Sequence, residues 1–362
     1  MINELIIHLG DTKTGSTSIQ KALVQKAYEL PGKSICYPTK NNHIAMAKTL
    51  SQARRVKQRE TRFRRVGEAL SSSNADYGVI SAEHFQFVDP QVFAEAIDTF
   101  WPDFKDRTRM VAYVRPHADK LLSAFSERVK LGNAMGSFED FCDTISENQA
   151  IDYLPRFRKW REVFGDRFTL RPFLRQELFR QDAVSDFFRV MLRNEDFRIN
   201  DGISANTSLT LPQLSLLREM HEIFTARLTA RGASRTADIT EARNAMGRTV
   251  SERLRACGLG QKGGKILIPE HLADGIAARY RADAEALDDE FFVGTPMSDA
   301  LDKIASKTTA ASQSLTADEH FSEETVASFR VFAGLLSDML LDDPKGFLKS
   351  ASQTRIMLAA AE

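Results

Sequence analysis

The residues best suited to chemistry crowd into the opening of the chain. Gly10-Asp11-Thr12-Lys13-Thr14-Gly15-Ser16-Thr17-Ser18 follows directly on a nearly unbroken apolar run at residues 5–9 and precedes a helical stretch to about Glu29. Glycines let such a loop turn sharply with its N–H groups inward. The helix start contributes its positive end, and Lys13 with the neighbouring hydroxyls adds further donors. A dianion, either phosphate or its close mimic phosphosulfate, suits that cradle. The frame Gly10-x4-Gly15 followed by Ser16-Thr17 is that of the P-loop, G-x4-G-K-[ST], except that the lysine stands at position 13, inside the loop. A Mg-ATP phosphotransferase keeps its lysine after the second glycine, a hydroxyl next to hold magnesium, and an acid at another strand end. Here Lys13 is followed by Thr14 and Gly15. A P-loop kinase is therefore the alternative rather than the first expectation, and no metal is expected.

The surrounding pattern says what must position this loop. After residues 5–9, short apolar segments at 34–37, 77–81, 109–115 and 168–173 alternate with helical spacing at 43–70, 90–100, 116–131, 151–164 and 182–192. Strands apolar on both faces, alternating with helices, predict an α/β fold with a parallel central sheet flanked by helices. Beyond Asn200 the character changes: 209–228, 241–257, 269–292 and 322–341 are helical, with residues 266–268 the one weak strand candidate. The expected organisation is an α/β core over 1–200 and a mainly helical region over 201–362 that helps to shape an acceptor pocket. Residues 308–316, rich in Ser, Thr and Ala, suit a linker or mobile loop, and the glycine-rich stretch 258–265 a flexible one.

Lys13-Thr14-Gly15-Ser16-Thr17 resembles the 5'-phosphosulfate loop, K-[ST]-G-[ST]-[ST], of sulfotransferases that use 3'-phosphoadenosine 5'-phosphosulfate (PAPS). That family carries a second signature, a strand ending in arginine with a serine eight residues later. Arg115 and Ser123 reproduce it. The resemblance implies a P-loop-like fold of the bacterial, carbohydrate-type branch. It implies Lys13, Thr14, Gly15, Ser16, Thr17 and Ser18 around the 5'-phosphosulfate, with Arg115 and Ser123 on the 3'-phosphate. Arginine at the carboxyl end of a strand suits this independently, since open α/β sheets bind ligands there and a planar guanidinium matches a terminal phosphate. Looser likeness runs through residues 151–173, Asn206-Thr207-Ser208-Leu209 and the helix around 280–292.

Sulfuryl transfer needs the loop lysine to stabilise the leaving phosphate, a role the resemblance gives to Lys13, and a base within reach of the acceptor. The third strand ends Ser81-Ala82-Glu83-His84. Glu83 is the first choice, because Ser-x-Glu here resembles the bacterial branch; His84 is the competitor, its ordinary pKa lying near the working range. Either can instead organise a loop. His43, at the start of a helix, is a further candidate for facing the acceptor, whereas His8 lies within the first strand and reads as an interior residue. Between residues 54 and 65 there are seven basic residues against one acid, Glu60. They form either a solvated face or an attraction for an anionic acceptor.

Composition bounds the rest. With 49 basic and 49 acidic residues among 362 the formal net charge is zero, so nothing global draws the chain to nucleic acid or an anionic membrane. No apolar run is long enough to span a bilayer, and the amino terminus has no basic segment of signal-peptide type, which makes cytoplasmic residence the default. Cys36, Cys142 and Cys257 are widely spaced and are expected as buried apolar residues rather than a zinc site or disulfides. The expectation is a PAPS-dependent transferase acting on a carbohydrate or glycolipid. A P-loop kinase and a catalytically silent nucleotide-binding interaction module are the alternatives.

Overall fold

The structure, a computed structural model, describes residues 2–193, 195–200, 208–311 and 313–361, with side chains to residue 353. Five parallel strands form the central sheet: β1 Glu4–Leu9, β2 Ile35–Cys36, β3 Tyr77–Ser81, β4 Thr108–Val114 and β5 Phe168–Pro172, in the order β2-β3-β1-β4-β5. The helices are α1 Ser16–Gln25, α2 Ile44–Ser51, α3 Arg59–Ser71, α4 Pro90–Phe100, α5 His117–Lys130, α6 Phe138–Glu147, α7 Leu154–Phe164 and α8 Ala183–Leu192. They continue as α9 Leu211–Ala230, α10 Ala237–Cys257, α11 Ala273–Phe291, α12 Pro296–Asp302, α13 Glu323–Asp342 and α14 Pro344–Ala361. The α/β class with a parallel central sheet is as the alternation implied.

The chain divides into two compact units that interleave: Met1–Lys120, Ile151–Asn206 and Ala277–Lys303 make one, Leu121–Ala150, Thr207–Ile276 and Ile304–Glu362 the other. A single cut at residue 200 does not separate them. The sequence also misses several elements: α6, α12, α14, one short strand pair and the partner strand of a second, whose other strand overlaps the weak candidate at 266–268. Tyr28–Glu29 pairs antiparallel with Arg198–Ile199, and Ile268–Pro269 pairs parallel with Thr308–Thr309. Two-residue strands leave too little pattern to read.

In the first unit the sheet is covered on both faces, which is why its strands read as unbroken apolar runs. Ile6, Val79, Val111 and Tyr113 pack with Ile19 and Leu23 of α1 and with Val184, Phe187, Phe188 and Met191 of α8. The alternating residues Leu5, Ile7, Ile80 and Met110 are equally buried on the opposite face.

The helix expected over 43–70 breaks at Gln52, whose backbone is extended (φ −114°, ψ 109°), and continues as a 3-10 turn, Ala53–Gln58, before α3. Between Leu50 and Phe63 the only apolar side chains are Ala53 and Val56, both exposed. No apolar stripe holds the middle of this segment to a core. Arg59 instead closes α2, its guanidinium donating twice to the Thr49 carbonyl at 3.2 and 3.0 Å. The cysteines also depart from expectation: Cys36 and Cys142 are half-buried and Cys257 is exposed.

In the second unit, the carboxyl end of α5 is covered by polar side chains that satisfy its last carbonyls. His221 of α9 donates from Nε2 to the Lys130 carbonyl at 2.9 Å, and Arg243 of α10 donates to the Gly132 carbonyl at 2.9 Å. Residues 258–265 are tethered turns: the Gly260 carbonyl accepts from the Thr210 hydroxyl at 2.7 Å, and the Leu211 N–H donates to the Gly264 carbonyl at 2.7 Å.

Close approach of α10 to α5 requires Gly247, where an added Cβ would stand 2.0 Å from the Lys130 carbonyl oxygen. Gly247→Ala is therefore expected to destabilise by about 3 kcal/mol despite alanine's better helix propensity. Gly275→Ala, in α11 with nothing within 4 Å of the new methyl, should be neutral or slightly stabilising. Denaturant midpoints of the two variants check this; equal effects would contradict the packing described.

Candidate functional site

Three chain segments singled out for chemistry are the carboxyl ends of three adjacent strands. The glycine-rich loop follows β1, Glu83 and His84 follow β3, and Arg115 follows β4. Register ties β1 to both neighbours, with His8 opposite Ser81 and Leu9 opposite Ala112. Since β1 lies between β3 and β4, the chain's crossovers diverge to either side of it, and this is where open α/β sheets leave a crevice for ligands.

The loop is sharply turned. Lys13 and Gly15 both take left-handed backbone, φ 70° and 75°. At Gly15 no other residue fits, since a Cβ would also meet the Ala183 methyl at 2.7 Å. Gly15 precedes α1 without a side-chain cap, so the opening N–H groups of that helix lack the usual side-chain partner. Lys13 and Thr17 are exposed and Ser18 is half-buried, whereas Thr14 and Ser16 are buried. The hydroxyls of Thr14 and Ser16 both donate to the Asp11 carbonyl, at 2.7 and 3.3 Å, and brace the turn from within.

Beneath the loop lies a cluster that the sequence reading did not single out. The Asp11 carboxylate is 2% exposed, accepts from the Thr12 N–H at 2.7 Å, and is held by Lys120 Nζ at 2.7 Å and Arg156 at 3.2 Å. Burial alone would raise its pKa, but the charges of Arg156 and Lys120 outweigh that and hold it below the ordinary carboxylate value. Lys120 also donates to the Thr12 carbonyl at 3.1 Å and hydroxyl at 2.9 Å. The signal that could have pointed here is the acid itself: a carboxylate inside an anion-binding turn demands neutralisation from elsewhere.

Arg156 is aimed by a further network. Asp283 of α11 accepts from the Tyr153 and Leu154 N–H groups, at 3.0 and 2.9 Å, and so fixes the first turn of α7; His117 approaches the same carboxylate at 2.8 Å. The Arg156 guanidinium then lies 4.6 Å from the Phe157 ring centroid.

Arg115 is partly buried beside Phe173 and donates to the Lys13 carbonyl at 3.0 Å, which docks the end of β4 on the loop. Glu83 lies on the other side. Its Cα is 3.4 Å from where a Cβ on Gly10 would stand, so the backbone of the candidate base lies against the start of the loop. The first unit thus brings together Lys13, Thr14, Gly15, Ser16, Arg115 and Glu83. Ser123 is half-buried on the part of α5 that belongs to the second unit. Asn206 and Thr207 lie outside the described residues.

The histidines separate into different roles. His84 approaches Ser51, at the end of α2, with 2.7 Å between Nε2 and the hydroxyl. Burial, and then the charges of Lys48 and Arg55, push its pKa down to about 4, so it is neutral near neutral pH. His43 is 3% exposed, and its Nδ1 accepts from the Ser81 N–H at 3.2 Å, tying the start of α2 to the end of β3. His8 is fully buried against the Ser81 hydroxyl at 2.8 Å, as its place within a strand implied.

Compared with protein-family models, curated proteins and solved structures, the chain matches none. Among the described residues no helix is long and apolar enough to cross a membrane, and no group of three or more His, Cys, Asp or Glu side chains is arranged to hold a metal ion.

Burial lowers His8 to a pKa of about 3 and both His43 and His221 to about 4. Unfolding returns each to about 6.5. Between those values the unfolded chain binds protons that the folded chain does not. Stability present above pH 6.5 is therefore lost as the pH falls toward 4. With His84, also lowered to about 4, denaturation at stepped pH should show a slope approaching four protons near pH 5, and His43→Gln should lower it by about one, or 1.4 kcal/mol per pH unit. A slope unmoved by that substitution would refute the buried neutral His43.

Proposed function

We propose that the protein is a sulfotransferase that moves the sulfuryl group of PAPS to a hydroxyl or amine of a carbohydrate or glycolipid acceptor. The observation that carries this reading is the meeting of Lys13 and Arg115 on one turn: the strand-end arginine donates to the backbone of the lysine itself, 102 residues away in sequence. Two cationic groups at a strand–loop–helix junction suit a nucleotide with an anion at each end better than a single phosphate.

In this reading the α1 N-terminus and the loop hold the 5'-phosphosulfate, and Arg115 the 3'-phosphate. The acceptor oxygen attacks sulfur as the bond from sulfur to the phosphate oxygen breaks. Lys13 neutralises the charge appearing on that oxygen. Glu83 takes the acceptor proton, its place beside Gly10 favouring it over His84. The P-loop-like assignment of the sheet and cytoplasmic residence belong to the same proposal.

Adenosine 3',5'-bisphosphate should bind in the presence of a chelator. Arg115→Ala should weaken it by about ten- to a hundredfold, the loss of charge-assisted hydrogen bonds. Lys13→Ala and Glu83→Gln should leave donor affinity within a few-fold and lower turnover by about a hundredfold or more. Calorimetry and mass-spectrometric detection of added sulfate measure these. Nucleotide binding that depends on magnesium would instead favour the kinase, and binding without turnover in any variant the silent module.

A further inference from the structure

The basic segment between α2 and α3 adjoins the face that His84 occupies. Over residues 44–65 there are eight basic side chains and one acid, Glu60, and Glu60 is engaged by Arg64 at 2.8 Å. The break at Gln52 and the docking of Arg59 on Thr49 fold this segment back at the end of α2, where Ser51 meets His84 at 2.7 Å. Lys48 and Arg55 lie close enough for their charges to act on the His84 imidazole. Arg55 spends its Nε on Gln52 at 3.0 Å, and its terminal nitrogens make no hydrogen bond among the described residues. On the same 3-10 turn, Glu83–Phe87, the Phe87 ring is 64% exposed and leans on His84 with 5.3 Å between ring centroids.

An exposed aromatic ring backed by a neutral imidazole offers a stacking platform, and an arginine with open terminal nitrogens beside a lysine offers bidentate recognition of a carboxylate. The exposed apolar surface here is small, Phe87 and Val56, which suits a sugar ring rather than a lipid chain. Resting on the sulfuryl-transfer reading, we infer that the acceptor is an acidic saccharide whose carboxylate is held by Arg55, in the positive field to which Lys48 contributes, while a neighbouring ring stacks on Phe87. The positive field of the segment would also draw such an acceptor toward Glu83.

The test compares a hyaluronan hexasaccharide, which alternates glucuronate with N-acetylglucosamine, against neutral chitohexaose by calorimetry, with adenosine 3',5'-bisphosphate as the donor-site control. The acidic hexasaccharide should bind at least tenfold tighter than the neutral one, and less so at high salt. Arg55→Ala and Lys48→Ala should each remove about tenfold of that preference while leaving bisphosphate affinity unchanged. Phe87→Ala should weaken both saccharides. Equal binding of the two saccharides, no saccharide binding, or a preference unmoved by Arg55→Ala and Lys48→Ala overturns the inference. Loss of bisphosphate binding in the parent protein, with the charge preference intact, would instead overturn the donor reading and leave the acidic-saccharide face standing.

Discussion

The site depends on one buried charge. Asp11 is an anion placed inside a turn built to receive anions, and left alone it would cost several kcal/mol in desolvation and repel any phosphate nearby. Lys120 and Arg156 reverse both effects: they neutralise the carboxylate and fix the loop from beneath, Lys120 through the Thr12 carbonyl and hydroxyl as well as the acid. Removing either cation leaves a buried charge short of a partner, a loss of the order of 3–5 kcal/mol in comparable pairs. The left-handed backbone at Lys13, unusual for a residue with a side chain, persists because these contacts over-determine the turn.

The supports of that charge arrive from far along the chain, and the parallel sheet makes this possible. Consecutive parallel strands present their carboxyl ends at the same edge, so β1, β3 and β4 deliver the loop, Glu83 and Arg115 side by side. The helices that return the chain then contribute from behind. Lys120 sits one turn into α5, after Pro116, and Arg156 one turn into α7, whose start is pinned by Asp283. A weak contact at Asp283 would therefore be felt at Asp11 through the aim of Arg156.

Much of this is legible in the sequence alone, and for identifiable reasons. The long strands and the glycine-rich turn are local: unbroken apolar runs, Gly10 and Gly15 speak through pattern and backbone freedom. Arg115 was found because it ends a strand. Asp11 was passed over because its role lies wholly in its partners, 109 and 145 residues away, and no periodicity links them. The break at Gln52 was missed because helix propensity stays adequate through the basic run, while the absence of a buried stripe shows only once the core is known. His43 looked as if it could face an acceptor; its burial and its bond to the Ser81 N–H give it the work of joining α2 to β3. The cysteines illustrate the converse, since no spacing rule says which small apolar residue a core will accept.

The end of β3 turns a single strand terminus toward two tasks. Successive residues of the 3-10 turn, Glu83 and His84, have different neighbourhoods: the backbone of one lies against Gly10 at the start of the loop, and the other meets Ser51 and the charges of Lys48 and Arg55. A histidine held near a pKa of about 4 by burial and by cations is a poor proton store at neutral pH, yet it is well suited to remain an uncharged ring beside a cationic surface. A carboxyl group beside the loop has the complementary property that, once ionised, it can accept a proton where charge moves. Under the proposed chemistry the pair divides proton transfer from acceptor placement. The division follows from which side of one short turn each residue occupies, not from any difference in the strand that carries them.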